Sequence, residues 1–313
     1  MEQEISYTVE EVAGLLKVSK LTVYDLIKKG KISSFKVGRQ MRIQSKDLQL
    51  FINGKKAPKN IDSMPTTTQE YTHQGKSAKR KILISGQDVV LDILGKQLEG
   101  NGDYTALRSN EGSLNGLMNM YKKDCDIVSL HMFDGDSGEY NLPYVRRVLI
   151  GHSYIILNLL SRKAGLMVQK GNPFSVKNWL DLKNEKLRFI NREIGSGARI
   201  LLEEQLRLND ISQSLVNGYQ QVESSHLGVA SAIAAGRADV GVGIEKVAKM
   251  VDLDFIPLIT ERYDLVLLKT PENKELISHV KSIMKKQSFK DEITSLGNYD
   301  TAKTGMILYE TND

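Results

Sequence analysis

The chain has 313 residues, of which 41% are apolar and 26% charged, and carries a formal net charge of +5. That length supplies two or three domains with a substantial core, and that apolar share excludes disorder throughout. One cysteine, Cys125, excludes an internal disulfide framework and a thiolate cluster, and the five histidines show no paired metal-ligand spacing.

The opening stretch MEQEISYTVEEV is acidic and amphipathic. It predicts no signal peptide, and with a lone cysteine it points to a reducing, cytoplasmic compartment. The longest apolar stretch, within 148–160, is interrupted by His152, Ser153 and Asn158, so no membrane partner is expected. Charge is unevenly spread. Residues 1–56 hold eleven Lys/Arg against six Asp/Glu, residues 57–81 five against two, and the remainder 27 against 30. The front is +8 and the back −3, and a basic front gains affinity for a polyanion by releasing counterions from phosphates.

Thr8 and Glu11 have the spacing at which a hydroxyl and a carboxylate satisfy each other's backbone N–H groups at a helix start. A first helix is expected to about Lys17, with Val9, Val12, Leu15 and Leu16 on one face. Ser19 can cap a second helix from Lys20 to Lys29, with Leu21, Tyr24, Leu26 and Ile27 among its core-facing positions, and Gly30 stops it. The Val18-Ser19 connection is short enough to make a helix-turn-helix whose second helix reads DNA. Residues 32–43 then read as a hairpin wing with Lys36, Arg39 and Arg42, and a last helix begins near Ser45.

The run TVEEVAGLLKVSKLTVYDLIKKGKISSFKVGRQMRIQSKDLQLFI resembles the excisionase-like branch of the MerR-type winged helix-turn-helix. The resemblance implies that Lys20, Thr22 and Val23 face the major groove of double-stranded DNA, while Arg39, Gln40 and Arg42 on the wing touch phosphates or the minor groove. An acid at Asp25, where many relatives carry a basic residue, departs from the pattern.

Residues 57–80, with two prolines, four threonines and almost no large aliphatics, read as a flexible linker between a DNA-binding domain at 1–56 and a second domain at 81–313. From Lys81 short apolar strands alternate with amphipathic helices: 82–85, 104–107, 126–129, 188–191, 240–243 and 255–258 are strand candidates. The pattern is α/β with mainly parallel sheets in two lobes, 81–160 plus 257–313 and 161–256, around a cleft. Small polar residues follow the strands at 85–88, 108–113 and 191–199, each ahead of a helix, which is where open α/β sheets bind anions.

The stretches GLMVQKGNP, FINREIGSGARILLEEQL, SSHLGVASAIAAGRADVGVGIE, ERYDLVLLK and LGNYDTAKTG resemble the periplasmic-binding-protein-like (type II) domain of the molybdate-binding kind, in the branch fused to helix-turn-helix modules. That similarity implies a cleft lined by Ser85, Ser109, Ser113, Arg192, Ser196, Gly197, Arg199 and Tyr263, with His226 a further candidate. It also implies a small anion such as molybdate or tungstate, or, given the two arginines, a larger anion bearing phosphate or pterin. No cofactor and no catalytic set are expected: there is no P-loop, GxGxxG after a strand or HExxH. The reading is a homodimeric, ligand-responsive transcriptional regulator and not an enzyme. The alternatives are an architectural DNA-binding protein whose back half only supports assembly, or an enzyme on a binding-protein scaffold.

Overall fold

The computed structural model describes residues 6–16, 18–28, 32–37, 40–52, 79–100 and 102–312. They fall into two compact units, one within 1–75 and one within 76–313. The expected linker at 57–80 lies almost wholly outside the described residues.

The first unit runs β1 (Ser6–Thr8), α1 (Val9–Leu16), α2 (Lys20–Lys28), β2 (Phe35–Val37), β3 (Gln40–Gln44) and α3 (Ser45–Ile52). The reciprocal cap forms: Glu11 Oε2 accepts from Thr8 N at 2.7 Å, and Glu11 N donates to Thr8 Oγ1 at 3.2 Å. Ser19 Oγ accepts from Thr22 N at 3.1 Å and opens α2. Val9, Val12, Ala13, Val23, Ile32, Ile43 and Leu48 make the core. Two details depart from the sequence reading. Strand β1, which was not expected, pairs with β3 and completes the order β1-β3-β2. The apolar stripe of α2 runs through Val23 with Leu26 and Ile27, so Tyr24 is 47% exposed, and on α1 Leu15 is exposed as well.

The second unit comprises β4 (Arg80–Ser85), α4 (Val90–Gly100), β5 (Tyr104–Ser109), α5 (Ser113–Tyr121), β6 (Ile127–Leu130), α6 (Leu142–Val148), β7 (Tyr154–Val168), β8 (Phe189–Arg192), α7 (Gly197–Leu208), β9 (Val222–Glu223), α8 (His226–Ala234), β10 (Val240–Ile244), α9 (Glu245–Met250), β11 (Asp254–Leu268), α10 (Lys274–Lys285), α11 (Gln287–Ser295), β12 (Tyr299–Asp300) and β13 (Ile307–Glu310). Its ten strands form one sheet in the order β5-β4-β6-β11-β7-β10-β8-β9, with β12 and β13 also on β7. The outer strands of each lobe pair in parallel, β5-β4-β6 on one side and β10-β8-β9 on the other. Between them the 15-residue strands β7 and β11 pair antiparallel from Asp254↔Val168 to Leu268↔Tyr154, through both lobes.

Two groups of core clusters lie on either side of this ribbon. One packs Ile82, Ile84, Leu91, Leu94 and Leu98 against Leu276, Val280 and Phe289, and it includes Leu160 and Tyr263. The other gathers Leu166, Leu182, Phe189, Leu201, Leu202 and Leu206, and it includes Ala164 and, at its edge, Ile256, Leu258 and Ile259. The chain therefore crosses between lobes over 160–164 and returns over 259–263. Ile256, Leu258 and Ile259 pack with the second lobe, which sets the return there. Each fully buried leucine here contributes ~1.5–3 kcal/mol of apolar burial.

Candidate ligand cleft

The register of the ribbon sets Glu261 opposite Arg162, where the chain passes between lobes. Arg162 Nε donates to Glu261 Oε1 at 2.6 Å, Nη1 to Asp88 Oδ2 at 2.5 Å, and Nη2 lies 2.5 Å from Glu261 Oε1. All three side chains are at most 3% exposed. Buried charges persist only when paired and hydrogen-bonded, and this set is. Asp88 also accepts from Val90 N at 2.9 Å and Tyr299 Oη at 2.9 Å. Glu261 Oε2 lies 3.0 Å from His131 Nδ1. Burial alone would raise the Glu261 carboxyl, but Arg162 and His131 outweigh it and hold the group at about 2, fully ionised near neutrality. The Arg162 guanidinium lies 4.5 Å from the centre of the Tyr263 ring. Tyr263 Oη is hydrogen-bonded to Ser129 Oγ at 2.7 Å, which donates to the Ser85 carbonyl, and burial pushes the phenol up to about 12.

A cavity of about 450 Å³ lies over this floor. Three helices begin at its wall: α5 at Ser113, α7 after Ser196, and α8 at His226 after Ser225. Ser196 Oγ accepts from Arg199 N and Ser225 Oγ from Gly228 N, so each serine fixes a helix start at the wall. His226 Nδ1 is fully covered and has no partner among the described residues. Burial, with Arg192 and Arg162 adding to it, holds this imidazole well below its usual range, so it is neutral near pH 7.

The lobes meet closely at the cavity rim. Arg192 Nη2 donates to Gln87 Oε1 at 2.7 Å from across the cleft, while Nε and Nη2 hold Glu193. Leu114 N donates to the Gly195 carbonyl at 3.0 Å. At Gly197 an added Cβ would come 2.5 Å from His131 Nδ1 and 2.7 Å from its carbonyl oxygen, so the approach of α7 to the first lobe requires glycine there. Gly86, at φ +142°, is likewise required, since a Cβ would meet Ser129 Oγ at 1.9 Å.

Ser113, Arg192, Ser196 and Tyr263 line this cavity, as does His226. The other expected residues stand elsewhere. Arg199, expected in the cleft, turns away from it: Nε donates to Glu203 at 2.7 Å and its guanidinium lies 4.0 Å from the centre of the Tyr219 ring, because α7 faces it toward those partners. Ser85 is buried one layer beneath, with its Oγ beside Gly116. Ser109 donates to Glu111 at 3.3 Å, outside the wall. Gly197 packs on His131 without lining the space. Sequence reasoning missed Arg162, Glu261 and His131, and within the 85–88 cluster it singled out Ser85 where Gln87 and Asp88 line the cavity. Charged residues midway along two long strands with apolar flanks were the available signal.

On the first unit, Lys20 and Thr22 are exposed at the start of α2, Lys20 paired with the Glu10 carboxylate and Thr22 bonded to Ser19. Val23, expected on the DNA face, is instead fully buried, since helical spacing puts it on the core side of α2. Arg42 is half-buried, with Nη1 donating to Ser6 Oγ at 3.3 Å. Arg39, and the side chain of Gln40, lie outside the described residues. Cys125 is buried and its thiol is pushed up to about 12, mainly by that burial, so it is inert near neutrality. Among the described residues no cluster of His, Cys, Asp and Glu is arranged to hold a metal, and no helix is long and apolar enough to cross a membrane.

Residues 6–56 match a helix-turn-helix domain and residues 95–285 a PBP superfamily domain. Over 320 aligned residues, 99% of this chain and 100% of its own length, YvgK of Bacillus subtilis (strain 168), described only as uncharacterized, is 47% identical. A Mycobacterium tuberculosis (strain H37Rv) protein named for DNA binding is 49% identical over 39 residues, 12% of this chain and 50% of its own. In fold, the chain is similar to a protein from Clostridium perfringens described as a phosphate ABC transporter substrate-binding protein with bound phosphate (TM-score 0.52, 12% identity, 71% of this chain and 99% of that one). It is similar also to a Listeria monocytogenes protein described as an L-cystine ABC transporter (TM-score 0.51, 14% identity, 71% and 98%).

Proposed function

Because the chain belongs to the family of proteins built on the PBP superfamily domain, and carries a helix-turn-helix domain ahead of it, we propose that it is a DNA-binding regulator whose second unit closes over a small anion. The supporting observation is a surplus of hydrogen-bond donors at the cavity. Its acids are already engaged: Asp88 by Arg162, Tyr299 and Val90 N, and Glu111 by Ser109 and Asn119. The donors are not exhausted. The contacts to Asp88 and Glu261 use three of the five N–H groups of Arg162, and the first turns of α5, α7 and α8 add backbone N–H groups. A negatively charged guest satisfies such a wall, and a cation does not.

In this reading the anion bridges both lobes, and closure alters how paired DNA-binding units meet their operator. A homodimer is part of the proposal, since one small winged module covers too short a site for strong specificity, as is a cytoplasmic location beside the DNA it reads. Molybdate, tungstate and phosphate are the inorganic candidates. A coupling of ~1–3 kcal/mol between sites suffices for regulation.

The test is retardation of DNA from upstream of the chain's own gene, with and without each anion, alongside thermal unfolding. A ligand at a hundred times its dissociation constant adds ~2.7 kcal/mol to stability. DNA retardation that changes with the anion that also raises the melting temperature supports the proposal. Retardation and melting temperature unmoved by every anion overturn it.

A further inference from the structure

The cavity is too large and too unevenly lined for a bare inorganic oxyanion. At ~30 Å³ for each water-sized oxygen, four oxygens fill ~120 Å³, about a quarter of its 450 Å³. The wall has two ends. Ser113, Ser196 and His226 gather near His131, whose N–H faces Ser113 Oγ at 3.4 Å and whose ring lies 6.2 Å from that of His226. Opposite them stand Ile244, Val247 and Met250, the last two on α9, together with Leu296 and Val89. This second end is closed by Lys246, whose Nζ donates to the Leu296 carbonyl at 3.0 Å and sits 4.7 Å from the centre of the Tyr299 ring. Tyr299 in turn bonds Asp88, so the tyrosine ring and the Arg162–Tyr263 stack form a floor running between the two ends. Water held against five aliphatic side chains is unfavourable, and an apolar ligand body displaces it with gain.

We propose that the ligand is an organic anion, an acidic headgroup of the carboxylate or phosphate class carrying an apolar, ring-sized body. The headgroup meets the helix starts at Ser113, Ser196 and His226, and the body lies on Tyr299 and Tyr263 against Val247, Met250 and Leu296. Lys246 stands at the far end, placed to meet a polar substituent. This rests on the anion-closing reading above and narrows it.

Matched pairs test it on the full chain: phenyl phosphate against inorganic phosphate, and benzoate against acetate, each titrated by calorimetry, with molybdate as a third arm. The expected result is a dissociation constant for the ring-bearing member lower by on the order of tenfold or more, the effect of burying a ring's apolar surface. Val247→Asn and Met250→Gln, polar substitutions at half-buried and exposed positions, are expected to narrow that ratio. Inorganic phosphate or molybdate binding as tightly as the organic anions, or a ratio unchanged by both substitutions, overturns the organic-body assignment while leaving the anion reading standing. Binding of no member of any pair overturns both.

Discussion

Arg192 and Gln87 belong to different lobes and are joined by one hydrogen bond, Nη2 to Oε1 at 2.7 Å, at the rim of the cavity. Gln87 returns the contact through Nε2, which donates to Glu193 Oε1 at 3.2 Å and to the Ser224 carbonyl at 3.3 Å. Bonds to charged groups contribute ~1.5–3 kcal/mol. Gln87→Ala is therefore expected to weaken anion binding by about tenfold, read by titration calorimetry, while the unfolding transition of the free chain changes little. Undiminished affinity would show that the rim contact plays no part in closure.

Gly197→Ala separates closure from stability. A methyl on this helix start costs nothing in propensity, and alanine is favoured over glycine by ~1 kcal/mol in helices. With the lobes in contact as described, it collides with the His131 ring and carbonyl, so they must part at α7. The melting temperature of the free chain should hold or fall slightly, whereas the stabilisation by anion should be largely lost in thermal shift.

Arg162→Met leaves two buried carboxylates facing each other without their cation. Removing one partner of a buried pair costs ~3–5 kcal/mol, so the urea midpoint of the second unit should fall sharply. A loss below ~1 kcal/mol would mean that Asp88 and Glu261 take up protons or water in its place.

Acid should weaken the fold in two steps. His226 has a folded value well below its ordinary 6.5, because burial and then the nearby arginines disfavour the cation. Below pH 6.5 the unfolded chain binds the proton and the folded chain does not, so this contribution is complete above 6.5 and lost as pH falls below it. Glu261 has the same sign in a lower window, its contribution being lost between its ordinary 4.5 and about 2. Urea midpoints compared at pH 7.5 and 5.5 check the first step: the parent should lose stability, and His226→Gln should lose less.

On the DNA side, Lys20→Ala should lower the slope of log affinity against log salt by about one, as for a single phosphate contact. Val23→Ala should act through the fold, destabilising the first unit without a change in that slope, because its side chain is buried. Equal salt slopes for the parent and Lys20→Ala would remove Lys20 from the interface.

The local signals in the sequence carried far. Thr8 with Glu11 and Ser19 with Thr22 mark real helix starts because caps act over three residues, and the Gly-Ser-Gly turn at 195–197 does open α7 at the cavity. Arg199 shows the limit: a cation four residues ahead of Glu203 and close in space to Tyr219 faces those partners, and the second of them is set only by tertiary packing. Arg162 and Glu261 lie 99 residues apart, and nothing short of the β7–β11 register sets them side by side. Val23 against Tyr24 is a single step of helical phase, which three or four apolar residues cannot fix.

The ribbon of β7 and β11 has a mechanical consequence. Its register shifts twice, between Pro257 and Ile259 and between Tyr263 and Asp264, and Glu261 with Arg162 rides on the short span between those irregularities. Since strands bend and twist more at such irregularities, the proposed closure would work this ribbon as a torsion spring with the Arg162–Glu261 pair at its midpoint. Stiffness of that spring, adjusted at positions far from any guest, would set how readily occupancy becomes motion.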